Sequence, residues 1–357
     1  MKRLIVLVLI WIASSGVAQD FAKAMPGRRF EFPRDHGSHP EFRTEWWYVT
    51  GYLDSEGGQR FGFQATFFRQ AQRNGDAIEH LHLAHAALLD AKTGAFIHEE
   101  KLNRDGWDAG ASVNGLDVRN NQWSLRMNPS SEQMKLVFTV KADALIELDL
   151  IPSQPHVIFG KDGVSRKGAS PDAASHYITF PRLKAAGTVK LGAARHEVTG
   201  EAWMDHEFSS SQLDEGQVGW DWAAIQLHDG RSIMVYRMRR EDGSTDAAST
   251  LVIIGQDGML DPRSRDQFKW EPLSQWVSPR TQASYPIRAR ISTGSETFEL
   301  RPLALDQEQG GSLTGLPYWE GACDVLDAEG KVIGRAFLEL AGYAGDLRRH
   351  LRGEVAK

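Results

Sequence analysis

The chain has a single cysteine, Cys323, among 357 residues. No internal disulfide can form, so the fold must rest on packing alone, and the length is enough for two cores of ordinary size. Glycine-rich phosphate loops and strand–G-x-G-x-x-G–helix units are also missing, which leaves no nucleotide or other cofactor to expect. Basic excess is absent too. With 41 Lys and Arg against 47 Asp and Glu, the net charge is -6, so nucleic acid finds no electrostatic footprint. Beyond the N-terminus no apolar run is long enough to cross a bilayer. Helical periodicity is scarce, with one candidate near the end, Ala344–Arg352.

What is present begins with an address. Lys2 and Arg3 precede an apolar core at Leu4–Ala13, and Gly16-Val17-Ala18 places small residues for cleavage after Ala18. The core is too short for a membrane span, and no cysteine follows it to carry a lipid. Residues 1–18 therefore read as a signal peptide, and the mature chain is expected to be secreted across the inner membrane into the periplasm.

The remainder reads as short strands. Trp46–Leu53 is aromatic and β-branched, stops at Ser55-Glu56-Gly57-Gly58, and returns over Phe61–Phe68. Leu81–Leu89, Trp123–Met127, Leu136–Val140 and Leu145–Ile151 follow at short spacing. In the second half, Trp220–Leu227 and Ser232–Arg239 flank Asp229-Gly230, a hairpin signal. Many short strands with Gly and Asp turns indicate an all-β protein, and closure into barrels removes exposed edges. The expectation is two antiparallel β-barrels, over residues 19–175 and 176–357, divided within the polar loop Gly160–Ser175.

The densest chemistry lies in Gly200–Leu213. On a strand, Trp203, Asp205 and Glu207 share one face, while Met204 and His206 share the other. Carboxyl groups at that spacing, beside indole and away from water, raise each other's pKa, which suits proton donation. The bland alternative is that Asp205 and His206 bond to backbone at a strand end. Ser209-Ser210-Ser211 lacks a Gly-x-Ser-x-Gly elbow, so a serine nucleophile is disfavoured. His80 and His82 share a strand face but His85 is out of phase, and no cysteine or His-Glu-x-x-His helix supports them, so no metal is expected. Glu45-Trp46-Trp47-Tyr48 is the second dense stretch: its aromatics suit a core, and its carboxylate could face a cavity.

These stretches resemble the AttH-like secreted proteins, related to carotenoid 1,2-hydratases (hydroxyneurosporene synthases). The matching runs are Glu45–Gly51, Phe67-Phe68-Arg69, Ala84-His85-Ala86, Tyr177–Gly187, Gly200–Glu207, Gly219-Trp220-Asp221-Trp222 and Glu339–Tyr343. The resemblance implies two lipocalin-like, calycin-type β-barrels and an apolar ligand, polyene or lipid. It also implies an inner-membrane ABC-transporter permease as a partner. In the hydratases an Asp is the proposed proton donor to an alkene, and by motif that position looks like Asp205, with a preceding His at His176 and an aromatic at Trp203. Where those enzymes carry an aromatic shortly after the His, this chain has Ile178, a departure that bears on carotenoid hydration.

The reading that results is acid-catalysed hydration of a C=C bond. Asp205, His176, Glu45 and Glu207 are the candidate catalytic residues. Trp46, Tyr48, His85, Tyr177, Trp203, His206, Trp220 and Trp222 are the candidate ligand contacts. A non-enzymatic lipid carrier or chaperone would use the same aromatic lining. A hydrolase using Asp205 and Glu207 is the third class.

Overall fold

The structure, a computed structural model, describes residues 21–74, 77–294, 296–311, 313, 317–345 and 347. The expected signal peptide and most of the expected terminal helix lie outside the described residues. Two antiparallel sheets make up the molecule. The first runs Ala95–Arg104, Ala77–Asp90, Arg60–Asn74, Thr44–Ser55, Ala194–Ser211, Ala174–Leu191, Ala144–Pro152, Met134–Val140, Trp123–Met127, Asp117–Asn120, Ala109–Ala111. Its two edge strands are neighbours in sequence and meet in space, so the sheet curls into a nearly closed barrel.

The second sheet runs Leu260–Ser264, Thr250–Ile254, Ser232–Arg240, Gln217–Leu227, Val332–Ala341, Tyr318–Leu326, Glu296–Pro302, Ser284–Thr293, Phe268–Val277. The 3₁₀ turn Arg265–Gln267 links its two edges, and the sheet forms a half-barrel. The fold is all-β and lipocalin-like. Among the described residues no helix is long and apolar enough to cross a membrane.

The sheets divide at residues 212–216, not after Ser175. A break at Ser175 would cut the strand Ala174–Leu191, which pairs with Ala194–Ser211 over nearly its whole length. Composition misleads here because the polar loop Gly160–Ser175 joins strands of one sheet, and the long strand that follows it carries Pro181. The register shifts between Phe180 and Leu183, and that bulge absorbs the missing proline N–H without ending the strand. What reads as two short strands, Tyr177–Phe180 and Gly187–Leu191, is therefore continuous.

The central strands are apolar on both faces, and this sets the site. From Thr44–Ser55, Trp47, Val49 and Leu53 enter the core of the first barrel, while Tyr48 and Tyr52 point to a third core between the sheets. Trp319, Cys323 and Val325 fill the half-barrel, whereas Ala322 faces the first sheet. A Cβ on Gly62 would lie 2.7 Å from the Ala322 Cβ, so here the sheets approach closely because one residue has no side chain. The Tyr52 hydroxyl donates to the Cys323 carbonyl at 3.1 Å and accepts from the Cys323 N–H at 3.1 Å. The Gln226 amide donates at 2.9 Å to the carbonyls of both Pro181 and Ala202. These bonds satisfy polar groups that the inter-sheet core buries.

Candidate functional site

Where the two sheets diverge they enclose a cavity of about 500 Å³. Trp46, Tyr48, Phe68, Leu83, His85 and Tyr177 line it from the first sheet, and Trp220, Trp222, Tyr236, Met238 and Tyr318 from the second. Its walls are the outward faces of two curved sheets, so the cavity lies between the barrels and not inside either one.

Asp205 borders this cavity from the centre of the strand Ala194–Ser211, opposite Tyr48 on one neighbour and Thr179 on the other. Its carboxyl accepts the Trp203 indole N–H at 2.7 Å and the Thr179 hydroxyl at 2.6 Å on Oδ1, and the Tyr177 hydroxyl at 2.6 Å on Oδ2. The Trp222 indole N–H donates in turn to the Tyr177 oxygen at 3.1 Å. Burial raises the pKa of Asp205. The three hydrogen bonds pull the other way and the charge of Glu207 adds to the rise, leaving it at about 7. A carboxyl poised there can deliver a proton near neutral pH.

Glu207, two residues on, points to the same cavity but is otherwise engaged. Lys167 Nζ lies 2.8 Å from its Oε2, both side chains are buried, and the Ser175 hydroxyl donates to the same oxygen. The ammonium also sits 4.6 Å from the Tyr177 ring centre and 4.3 Å from that of Tyr236. Burial lowers the Lys167 pKa, but its neighbours, Glu207 first, outweigh it and the net shift is upward, so Lys167 keeps its charge.

The second sheet contributes carboxyls that sequence reasoning missed. Glu320 and Glu339 stand opposite each other on adjacent strands and both border the cavity. Burial and then the charge of Glu339 push Glu320 well above the usual carboxyl range. Burial likewise lifts Glu339, against a hydrogen bond from the Trp220 indole at 3.0 Å, to about 7. Like charges directly opposed are unfavourable, which keeps the two from ionising together. The available signal was a glutamate inside Phe337-Leu338-Glu339-Leu340-Ala341, where both strand faces are otherwise apolar.

The remaining expected residues separate into groups. Trp46, Tyr48, His85, Tyr177, Trp220 and Trp222 line the cavity with Asp205 and Glu207. Trp203 supports Asp205 from behind and packs edge-on to Trp222 at 6.2 Å. His85 Nδ1 is 2.8 Å from the Tyr318 hydroxyl, and burial lowers its pKa to about 4, so it is a neutral wall group. His80 and His82 turn to Arg69 and Asp105 instead.

Glu45, His176 and His206 are not brought to Asp205. His206 and His176 occupy the opposite strand faces, as the two-residue repeat requires. His176 Nδ1 is 2.7 Å from the Gly163 carbonyl oxygen, and its ring packs against Phe30, Phe42 and Phe208. Glu45 edges the cavity, but its carboxylate is taken up elsewhere. It accepts from Arg69 at 3.0 Å and Ser38 at 2.8 Å, and lies 2.9 Å from ring nitrogens of His39 and His206. Burial alone would raise Glu45, yet these partners hold it well below the usual range. It anchors the entry segment and leaves no free lone pair for the cavity. The serine run is also unconnected to His206: Ser209 bonds with Thr44 and Gln212, Ser210 with Ala22, and Ser211 with Leu213.

Comparison with known proteins agrees with this architecture. The AttH-like family model matches residues 23–343. An AttH protein of Nitrosomonas europaea is similar in structure, with 35% identity and a TM-score of 0.83, over 90% of this chain and all of that one. Kievitone hydratase from Nectria haematococca shares the fold at 12% identity and a TM-score of 0.66, over 84% of this chain and 89% of the other. The ceramide-binding protein svf1 of Aspergillus fumigatus is 23% identical over 126 residues, which is 34% of this chain and about a third, 32%, of svf1. With strand faces, cavity and family model in agreement across the described chain, this protein belongs to the AttH-like family.

Proposed function

We propose that the protein takes an apolar, alkene-bearing molecule of isoprenoid or lipid type into the inter-barrel cavity and adds water across a C=C bond. One observation carries this reading. Asp205 is a buried carboxyl at the wall of an aromatic cavity, held by indole, phenol and hydroxyl donors. Its proton passes to one alkene carbon, the π pair forms the new C–H bond, and the other carbon becomes cationic. The faces of Trp220 and Trp222 stabilise that charge. Water then forms the C–O bond and gives up a proton to the Glu339 carboxylate, and return of a proton to Asp205 closes the cycle. The fold shared with kievitone hydratase supports the reading. The hydrolase alternative loses ground, because Lys167 occupies Glu207.

A second reading is favoured by the partial likeness to a ceramide-binding protein. Here the cavity carries a lipid unchanged, in concert with an inner-membrane ABC-transporter permease. In both readings the Lys2–Ala18 segment directs export to the periplasm.

The test is ligand extraction. Protein is purified from its native compartment, extracted with organic solvent, and analysed by mass spectrometry as wild type and as Asp205→Asn. A molecule bound by the variant that appears 18 mass units heavier with the wild type, on the order of one water added, supports hydration. The same unchanged, near-stoichiometric lipid in both proteins overturns it in favour of the carrier.

A further inference from the structure

Apart from the cavity, three segments distant in sequence bring His36, Glu132 and His156 together. Their ligand atoms all lie within 4.8 Å of one another. His36 Nε2 is 3.5 Å from Glu132 Oε1, and His156 Nδ1 is 3.4 Å from the same oxygen. None of the three lines the cavity.

His36 makes the cluster unusual. Its side chain is fully buried, yet neither ring nitrogen has a hydrogen-bond partner. A buried imidazole with both nitrogens unpaired is costly, and such groups call for an explanation. Phe32 and Phe180 press on the ring, at 4.5 and 5.2 Å between centroids, and fix its direction. His156 meets it edge-on at 5.2 Å and 88°. Backbone bonds fix the other end. Glu132 adopts φ +53° in a turn closed by its N–H on the Asn128 carbonyl at 2.9 Å.

We propose that His36, Glu132 and His156 form a binding site for one divalent transition-metal ion of the zinc class. Tetrahedral Zn²⁺ with arms of about 2.0–2.1 Å separates its donors by roughly 3.3–3.4 Å, and the 3.4 and 3.5 Å gaps here match that edge. Two imidazoles and one carboxylate are the borderline donor set that such ions prefer. Glu132 and His156 are partly exposed, which gives an entry path and room for a water as fourth ligand. The ion ties the entry turn Arg34–His36 to the 128–133 turn and to the segment before Val157–Ile158, fastening one side of a disulfide-free barrel.

The neighbouring cluster of His39, Glu45 and His206 is different. Its carboxylate is saturated by Arg69, Ser38 and both imidazoles, so a metal would have to displace bonds already made.

The experiment uses tag-free protein stripped with a chelator and titrated with ZnCl₂. Bound metal is counted after desalting and affinity is read by competition with a chromophoric chelator. One equivalent is expected, together with a rise in Tm and X-ray absorption showing N/O ligands at about 2.0–2.1 Å. Glu132→Gln and His156→Gln change side chains with solvent access, and circular dichroism verifies that each variant folds. Both should lose the bound equivalent and the Tm response. Wild-type protein that retains no zinc overturns the proposal, and so does zinc retained undiminished by both variants, which would place it elsewhere.

Discussion

Trp203 and Asp205 lie on one strand face, and the indole N–H of the first donates to Oδ1 of the second at 2.7 Å. The bond leaves the proton-bearing position of the acid to Oδ2, beside the Tyr177 hydroxyl. Asp205→Asn keeps the shape and removes the acid. Turnover of the extracted ligand should fall by about 10²–10⁴-fold with the ligand still bound, measured by rate and by mass spectrometry of the retained ligand.

The same carboxyl shapes the pH profile of stability. Asp205 titrates at about 7 in the folded protein against an ordinary 3.8, and Glu339 at about 7 against 4.5. Each favours the fold fully below its unfolded value. That contribution is lost as pH rises through about 7. For Asp205 the gap is on the order of 4 kcal/mol. Asp205→Asn should therefore show a flatter fall in denaturation midpoint than wild type between about pH 4 and 7, the span between the unfolded and folded titrations. An unchanged slope would remove Asp205 from this linkage.

Lys167 and Glu207 form a buried pair at 2.8 Å. Lys167→Met strands a carboxylate and should destabilise by about 3–5 kcal/mol, whereas Lys167→Met with Glu207→Gln should recover much of the loss. Urea denaturation of the four-member cycle measures the coupling.

Glu45 binds Arg69, Ser38, His39 and His206 and sends no lone pair to the cavity. Glu45→Gln should lower stability by several kcal/mol, about 3 or more, because Arg69 is left buried without its carboxylate. Turnover per folded molecule should remain. A loss of turnover with stability intact would restore Glu45 as a catalytic group.

At Gly62 the sheets touch through Ala322. Gly62→Ala should force them apart, cost about 1–3 kcal/mol by overpacking, and weaken ligand retention together with the denaturation midpoint.

Much of the fold was legible because strand periodicity is local. The alternation in Trp203–Glu207 correctly placed Asp205 and Glu207 on one face and His206 on the other. Two features were not local. Pro181 lies inside the strand Ala174–Leu191, and only the partner strand shows that a bulge accommodates it. Glu320 and Glu339 are separated by 18 intervening residues in sequence and become a pair only through cross-strand register. The fates of Glu45 and His176 depended on which neighbours would claim them, Arg69 and His39 for one, Gly163 for the other. Those partners come from other segments, which spacing within one strand cannot reveal.

The core shared by the two sheets has a consequence for how the protein can be made and inherited. Tyr48, Tyr52, Trp222 and Phe337 are outward-facing residues of their own barrels, yet all are buried against the other. A gene cut at residues 212–216 would yield two halves, each with an aromatic outer surface that water would meet. Neither half is a spare part that evolution could move alone. The cavity has walls from both sheets, so it exists only while both are present in one folded chain.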